Sequence, residues 1–191
     1  MTSIIKVDTI QTAAGGTPTA SSLGISGTIG QVVTTTFTGT ESATTKASDG
    51  NYTDSSVFAS LTPTSSSSKI IVMCTINAGG TDGTNGSHIG RFTQKIGTGS
   101  ATPVFVGDLA GNRRQNSSGR GNESQGGATI LTMGFNFVLS PNTTSEVTVR
   151  YQFTTRGTNV GTAYINRGGT DGDTTEDGRT ASAITLMEVL V

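Results

Sequence analysis

In the segment SEVTVRYQFTT (145–155), Val147, Val149, Tyr151 and Phe153 alternate with Thr148, Arg150, Gln152 and Thr154. A period of two residues sends successive side chains to opposite faces of an extended strand, and a helix cannot gather these four apolar groups on one side. The same period runs through TILTMGFNFVLS (129–140), where Leu131, Met133, Phe135, Phe137 and Leu139 share a face. It recurs in ASAITLMEVLV (181–191), with Ile184 and Leu186 set against Thr185, Met187 and Val189. Between the first two segments lies SPNT, in which Pro141 and Asn142 favour a tight reversal. The aromatic and Val/Tyr/Phe rows read as core, with a face turned to another subunit as the alternative. KIIVMCTIN (69–77) is apolar on both faces, as a central buried strand is. QVVTTTFT (31–38), SVFASLTP (56–63), HIGRFTQKIG (88–97), TPVFVG (102–107) and GTAYINR (161–167) complete the set. Eight or nine strands without a helical interruption predict an antiparallel β-sandwich or jelly roll.

Composition supports the all-β reading. The 191 residues include 36 Thr, 21 Ser and 27 Gly, whereas long helices draw on Ala, Leu, Glu, Lys and Arg. Only 13% of residues are charged, which argues against disorder driven by net charge.

Several function classes find little support. A net charge of −1 is not the footprint of a nucleic-acid binder. No apolar run is long enough for a transmembrane helix. The opening MTSIIKVDTIQT carries Lys6 and Asp8 within its apolar stretch and lacks a signal-peptide core. Cys74 is a single cysteine and His88 a single histidine, so neither an internal disulfide nor a zinc site is expected. The N-x-[ST] sequons at Asn51, Asn85, Asn116, Asn122 and Asn142 follow from the abundance of Asn, Ser and Thr. No GxSxG elbow, P-loop or strand-GxGxxG-helix unit is present, and His88 reads as a loop or strand-edge residue. Acidic side chains are few and fall mostly in loops, which leaves a glycosidase-type carboxylate pair as a minor alternative. The chain is therefore expected to be no enzyme and to need no cofactor.

Three regions stand out beyond the strands. Residues 1–30 begin with Ile4, Ile5, Val7 and Ile10 and continue as small residues and glycine, too little to fold alone. They read as an attachment segment, or as a loose tail, ahead of a head domain at 31–191. LAGNRRQNSSGRGNESQGG (109–127) is the longest irregular stretch and holds Arg113, Arg114 and Arg120. These arginines suit contacts to carbohydrate or carboxylate groups, contacts to another subunit, or a surface with no ligand. GGTDGDTTEDGR (168–179) concentrates Asp171, Asp173, Glu176 and Asp177; it reads as a solvated hairpin loop, with calcium as the alternative through Asp171, Asp173 and Asp177. The pentapeptide GGTDG at 79–83 returns at 168–172, which shared turn chemistry explains.

The opening SIIKVDTIQTAAGG resembles the leader common in structural proteins of marine phages, cyanophages especially. LTPTSSSSKIIVMCTINAG (61–79), VGDLAGNRR (106–114), FNFVLSPNTTS (135–145) and TAYINRGGTDGD…RTASAITLMEVLV (162–191) resemble a domain frequent at the C-termini of phage tail fibres. The resemblance implies a homotrimeric jelly roll, similar to tumour-necrosis-factor-like heads, displayed on the virion surface after synthesis in the host cytoplasm. It also implies a partner virion protein for residues 1–30, while the net charge and the apolar runs lead to no expectation of nucleic acid or membrane insertion. A fibre without the long shaft and large N-terminal domain of a typical one is therefore expected. A short tail fibre for host-surface adhesion is the expected role, with Arg113, Arg114 and Arg120 as receptor contacts to a surface glycan or protein. Loops 79–88, 109–127 and 168–179 are then the contact surface. A capsid decoration or head-fibre protein is the alternative, and a polysaccharide-degrading spike a third.

Overall fold

A computed structural model describes residues 15, 27–45, 50–81, 88–119, 129–155, 161–175 and 177–191. The expected anchoring residues Ile4, Ile5, Val7 and Ile10, and the loop residue Arg120, lie outside the described residues. Among the described residues there are eleven strands and no helix. They are β1 (Thr28–Phe37), β2 (Glu41–Ala43), β3 (Thr53–Leu61), β4 (Lys69–Gly80), β5 (His88–Ile96), β6 (Thr102–Val104), β7 (Ser118–Gly119), β8 (Leu131–Leu139), β9 (Val147–Thr155), β10 (Ala163–Ile165) and β11 (Ser182–Leu190).

All pairings between these strands are antiparallel and fall into two sheets. In the first, β10 and β11 pair with β4 one after the other, and β2 and β1 pair with them in the same succession. β1/β2 and β10/β11 are thus two interrupted strand lines, and β8 closes the other side of β4. In the second sheet β3, β9 and β5 lie side by side, with β6 and β7 sharing the free edge of β5. Counted as eight lines in chain order, the sheets run first–eighth–third–sixth and second–seventh–fourth–fifth. That order is the jelly roll, and it chooses between the two expected architectures.

The core lies between the sheets. Ile70, Val72, Cys74 and Ile76 of β4, with Ile184 and Leu186 of β11, face Val147, Val149, Tyr151 and Phe153 of β9. The Phe92 ring packs 5.1 Å from those of Phe135 and Phe137 and 5.2 Å from that of Tyr151. The Val/Tyr/Phe row of β9 therefore faces the core and not another subunit. Leu131, at the start of the β8 row, is exposed.

Four expectations need correction. The strand expected over 102–107 stops at Val104, because Phe105 takes a left-handed backbone (φ 51°) and stacks its ring on Phe137 at 4.5 Å. His88 is buried, not at an edge: β5 is an interior strand, and the imidazole stacks on Phe153 and Tyr151. The 168–179 segment is the solvated loop expected, closed as a hairpin is by an antiparallel bridge, but it does not join two paired strands, since β10 and β11 run in the same direction along β4 and never pair with each other. It is an excursion from a single strand line, begun by Asn166 in a left-handed conformation and closed by a bridge between Arg167 and Arg179. Finally, the two GGTDG copies do more than turn. A Cβ on Gly79 would lie 2.2 Å from the Arg167 carbonyl oxygen, and one on Gly169 would lie 2.5 Å from that of Gly80. The paired glycines let the two backbones touch where any side chain would part them.

Candidate functional site

The two outer faces of the sandwich differ. Across the first sheet, register aligns Val32 with Met187, Met187 with Ile71, and Ile71 with Val138. The next row is Thr34, Thr185, Met73 and Asn136, and the one after it Thr36, Ala183, Thr75 and Gly134. These three rows hold no charged side chain, while Val32, Met73 and Val138 are 55%, 45% and 57% exposed. Across the second sheet the outward rows are Asp54–Gln152–Arg91, Phe58–Arg150–Thr93 and Ser60–Thr148–Lys95. Gln152 Nε2 donates to Asp54 Oδ1 at 2.6 Å, and Arg91 Nε donates to Gln152 Oε1 at 2.8 Å. Arg150 sits 3.8 Å from Asp54 Oδ2, and its guanidinium covers the Phe58 ring at 4.2 Å.

At one end of this polar face lies a cleft of about 220 Å³, lined by Tyr52, Arg91, Leu109, Arg113, Arg114 and Gln115. Its outer wall is the 105–117 loop between β6 and β7, which is laced by its own hydrogen bonds. Gly107 N donates to Asn116 O (3.1 Å), Arg113 N to Ala110 O (3.2 Å), and Gln115 Nε2 to Gly107 O (2.8 Å). Ser117 pins it to β5, with Ser117 N donating to Gly90 O at 2.9 Å and Phe92 N donating to Ser117 Oγ at 3.0 Å. The inner wall is Tyr52, whose hydroxyl donates to Asn116 Oδ1. The Arg91 guanidinium lies on the Tyr52 ring, 3.9 Å from its centroid. Burial raises the Tyr52 phenol above its ordinary pKa, while the charges of Arg91 and Arg114 pull it back. The phenol stays neutral and donating at neutral pH. A second, shallower cleft of about 300 Å³ adjoins the first on the far side of Arg113 and Arg114, and Asp108, Asn116, Ser117 and Ser118 line it.

Of the expected contact residues, the structure thus brings Arg113 and Arg114 together. It adds Tyr52, Arg91 and Gln115, which sequence reasoning passed over. Arg91 occupies an outward position of a legible strand, but nothing local announces that Tyr52, 39 residues earlier, lies beneath it.

The acidic excursion has a different use for its carboxylates. Asp171 bridges Arg167 (2.9 Å) and Arg179, and Arg167 in turn covers the Tyr164 ring at 3.8 Å. Asp177 Oδ2 accepts from Gly172 N (2.9 Å) and Thr174 Oγ1 (3.2 Å). Asp171, Asp173 and Asp177 are not brought together as a calcium set; among the described residues no three His, Cys, Asp or Glu side chains are grouped to hold a metal. Elsewhere, burial pushes the Cys74 thiol up to about 12.

No protein-family model and no curated protein matches the chain. Among solved structures it is similar to a chain of the infectious bursal disease virus Gx strain, at 13% identity and a TM-score of 0.31. It is also similar to VP2 in the subviral particle of that virus, at 14% identity and a TM-score of 0.36. Each alignment covers 84% of this chain but only 40% and 41% of those chains, so this chain spans about two fifths of their length. With TM-scores below 0.5, the jelly-roll assignment rests on the strand order above.

Proposed function

We propose that this chain is a non-enzymatic virion structural protein, a jelly-roll head that assembles through one face and displays the other. The observation that carries the reading is the contrast between the two outer faces. Three uncharged rows with exposed Val32, Met73 and Val138, bordered on the same face by Lys69, are costly to leave in water, and patches of this kind mark contact sites. The occupant we assign is a second copy of the chain, because these three rows carry no charge with which to repel their own copies in a symmetric pairing. A homotrimer, as the tail-fibre resemblance implies, would bury these rows. The opposite face, with its ion pairs and arginine cleft, is then turned outward. The resemblance to phage tail-fibre domains supplies the virion setting and favours host-surface adhesion, with the segment ahead of β1 held by another virion protein; residues 28–30, expected as part of that segment, belong to β1 of the head.

Two measurements test this. Sedimentation of the purified chain should give an oligomer, a trimer if the resemblance holds; a monomer at all concentrations would remove the assembly face. Gold-labelled antibody on intact particles should mark the tail or its tip. Label spread over the head would support the decoration reading in place of adhesion, and no label on particles would refute a virion role.

A further inference from the structure

We infer that the cleft between Tyr52 and the 105–117 loop binds an acidic saccharide, a sugar bearing a carboxylate or sulfate whose anionic group lies among Arg91, Arg113 and Arg114. The inference rests on the reading of the second sheet as the displayed face and names the class of ligand it takes. Three guanidiniums line one small cleft of a chain whose net charge is −1, so the concentration is local and not a consequence of overall basicity. Arg91 and Arg113 take no part in the ion pairs formed between described residues, which are those of Arg150 with Asp54 and of Arg167 and Arg179 with Asp171. Arg91 is held before any ligand arrives, by its stack on Tyr52 and by the bond from its Nε to Gln152. A guanidinium fixed in this way forfeits little side-chain entropy when it grips a planar or tetrahedral oxyanion through two parallel hydrogen bonds.

The rest of the lining decides between a bare anion and a sugar. Leu109 and Pro103 give the arginine cleft an apolar side, which a free phosphate or sulfate ion does not need. Beyond Arg113 and Arg114, the adjoining cleft offers the Asp108 carboxylate and the Asn116 amide. Such groups suit the alternating donors and acceptors of ring hydroxyls. Each cleft is at or below the ~300 Å³ where small-molecule sites begin. A ligand held usefully must therefore reach across both, with the two arginines beneath its middle.

The test is calorimetric titration of the full chain with an oligouronate, a sulfated galactan oligosaccharide and a neutral dextran oligosaccharide of equal length, with sodium sulfate alone as the ion control. One or both acidic oligosaccharides should bind, and the pair separates carboxylate from sulfate as the recognised group. Dextran should bind about tenfold more weakly or not at all, as expected when charge-assisted hydrogen bonds are missing. The exposed double variant R113A/R114A should lose about tenfold or more of the affinity at an unchanged melting temperature, and Arg91→Gln a comparable factor. Lys95→Ala, a cation of the same sheet outside the cleft, should change nothing. Equal binding of dextran, an undiminished R113A/R114A variant, or an equal loss in Lys95→Ala would overturn the inference. So would sulfate competing as well as the oligosaccharides, which would leave an adventitious ion only. Because purified protein is used, failure here leaves the virion assignment to the particle labelling.

Discussion

Tyr151 shows how one buried polar atom constrains its surroundings. Its hydroxyl lies 3.0 Å from His88 Nε2 and 3.1 Å from Ser118 Oγ. Gly90 makes room for it, since a Cβ there would stand 1.8 Å from the oxygen. Gly90→Ala should therefore cost more than the ~1–3 kcal/mol typical of overpacking, read as a lower melting temperature or loss of soluble protein. Glu188 is a second such point. It accepts from Gln31 Nε2 at 2.7 Å through Oε2, and from Thr64 N at 2.6 Å and Thr64 Oγ1 at 2.8 Å through Oε1. Burial alone would raise its pKa, but the hydrogen bonds from Gln31 and Thr64 outweigh that and hold it below the ordinary value. A carboxylate with a lowered folded-state pKa contributes stability that is present above its unfolded pKa and is lost as pH falls through the folded one. Glu188→Gln should thus be about 1–3 kcal/mol less stable near pH 7, with the gap closing in acid; urea titrations at both pH values read the difference. The Cys74 thiol, held up at about 12 by burial, should resist alkylation at pH 8 in the native protein and react once it is unfolded.

At the scale of elements, the 166–181 excursion depends on one asparagine. Asn166 adopts φ 62°, donates through Nδ2 to the carbonyls of Phe37 (2.8 Å) and Gly39 (2.9 Å), and accepts from Ser182 Oγ at 2.6 Å. Asn77 completes the hub, its backbone N–H donating to Ser182 Oγ and its Nδ2 to Ala181 O. One side chain thereby ties the break in the β1/β2 line to the break in the β10/β11 line. Asn166→Ala removes three hydrogen bonds and the residue type that best tolerates the left-handed turn. A loss of about 1–3 kcal/mol is expected, together with faster proteolytic cleavage within 168–179. β8, β9 and β11 were legible from their alternation, and β4 from a run apolar on both faces. β2 and β7 were not, since three and two residues carry no period. The interruption at Asn166 was not legible either: GTAYINR reads as one strand until its partners on β2 and β4 are known.

For the whole molecule, the contrast between the two outer faces makes a prediction that a monomeric sandwich would not share. A Val138→Glu/Met73→Glu variant places like charges on the uncharged rows, so sedimentation should show it dissociated. Its melting temperature should shift little beyond what dissociation itself removes, because both side chains are exposed within the single chain. An unchanged mass would mean that this face is not the contact. The arginine cleft belongs to the same scale, being assembled from the approach to β3, an outward position on β5 and the loop before β7.

Alternation, Thr-rich composition and turn residues determined by themselves that the chain is an antiparallel β-sandwich and which rows form its core. The reason is local: each strand's two faces are written in consecutive residues. The tertiary structure decided the jelly-roll strand order and the collinear breaks at β1/β2 and β10/β11. It also decided the unlike outer faces and the meeting of Arg91, Arg113 and Arg114 around Tyr52. These depend on which strands become neighbours and in what register. That is a relation between segments tens of residues apart, and no single segment encodes it.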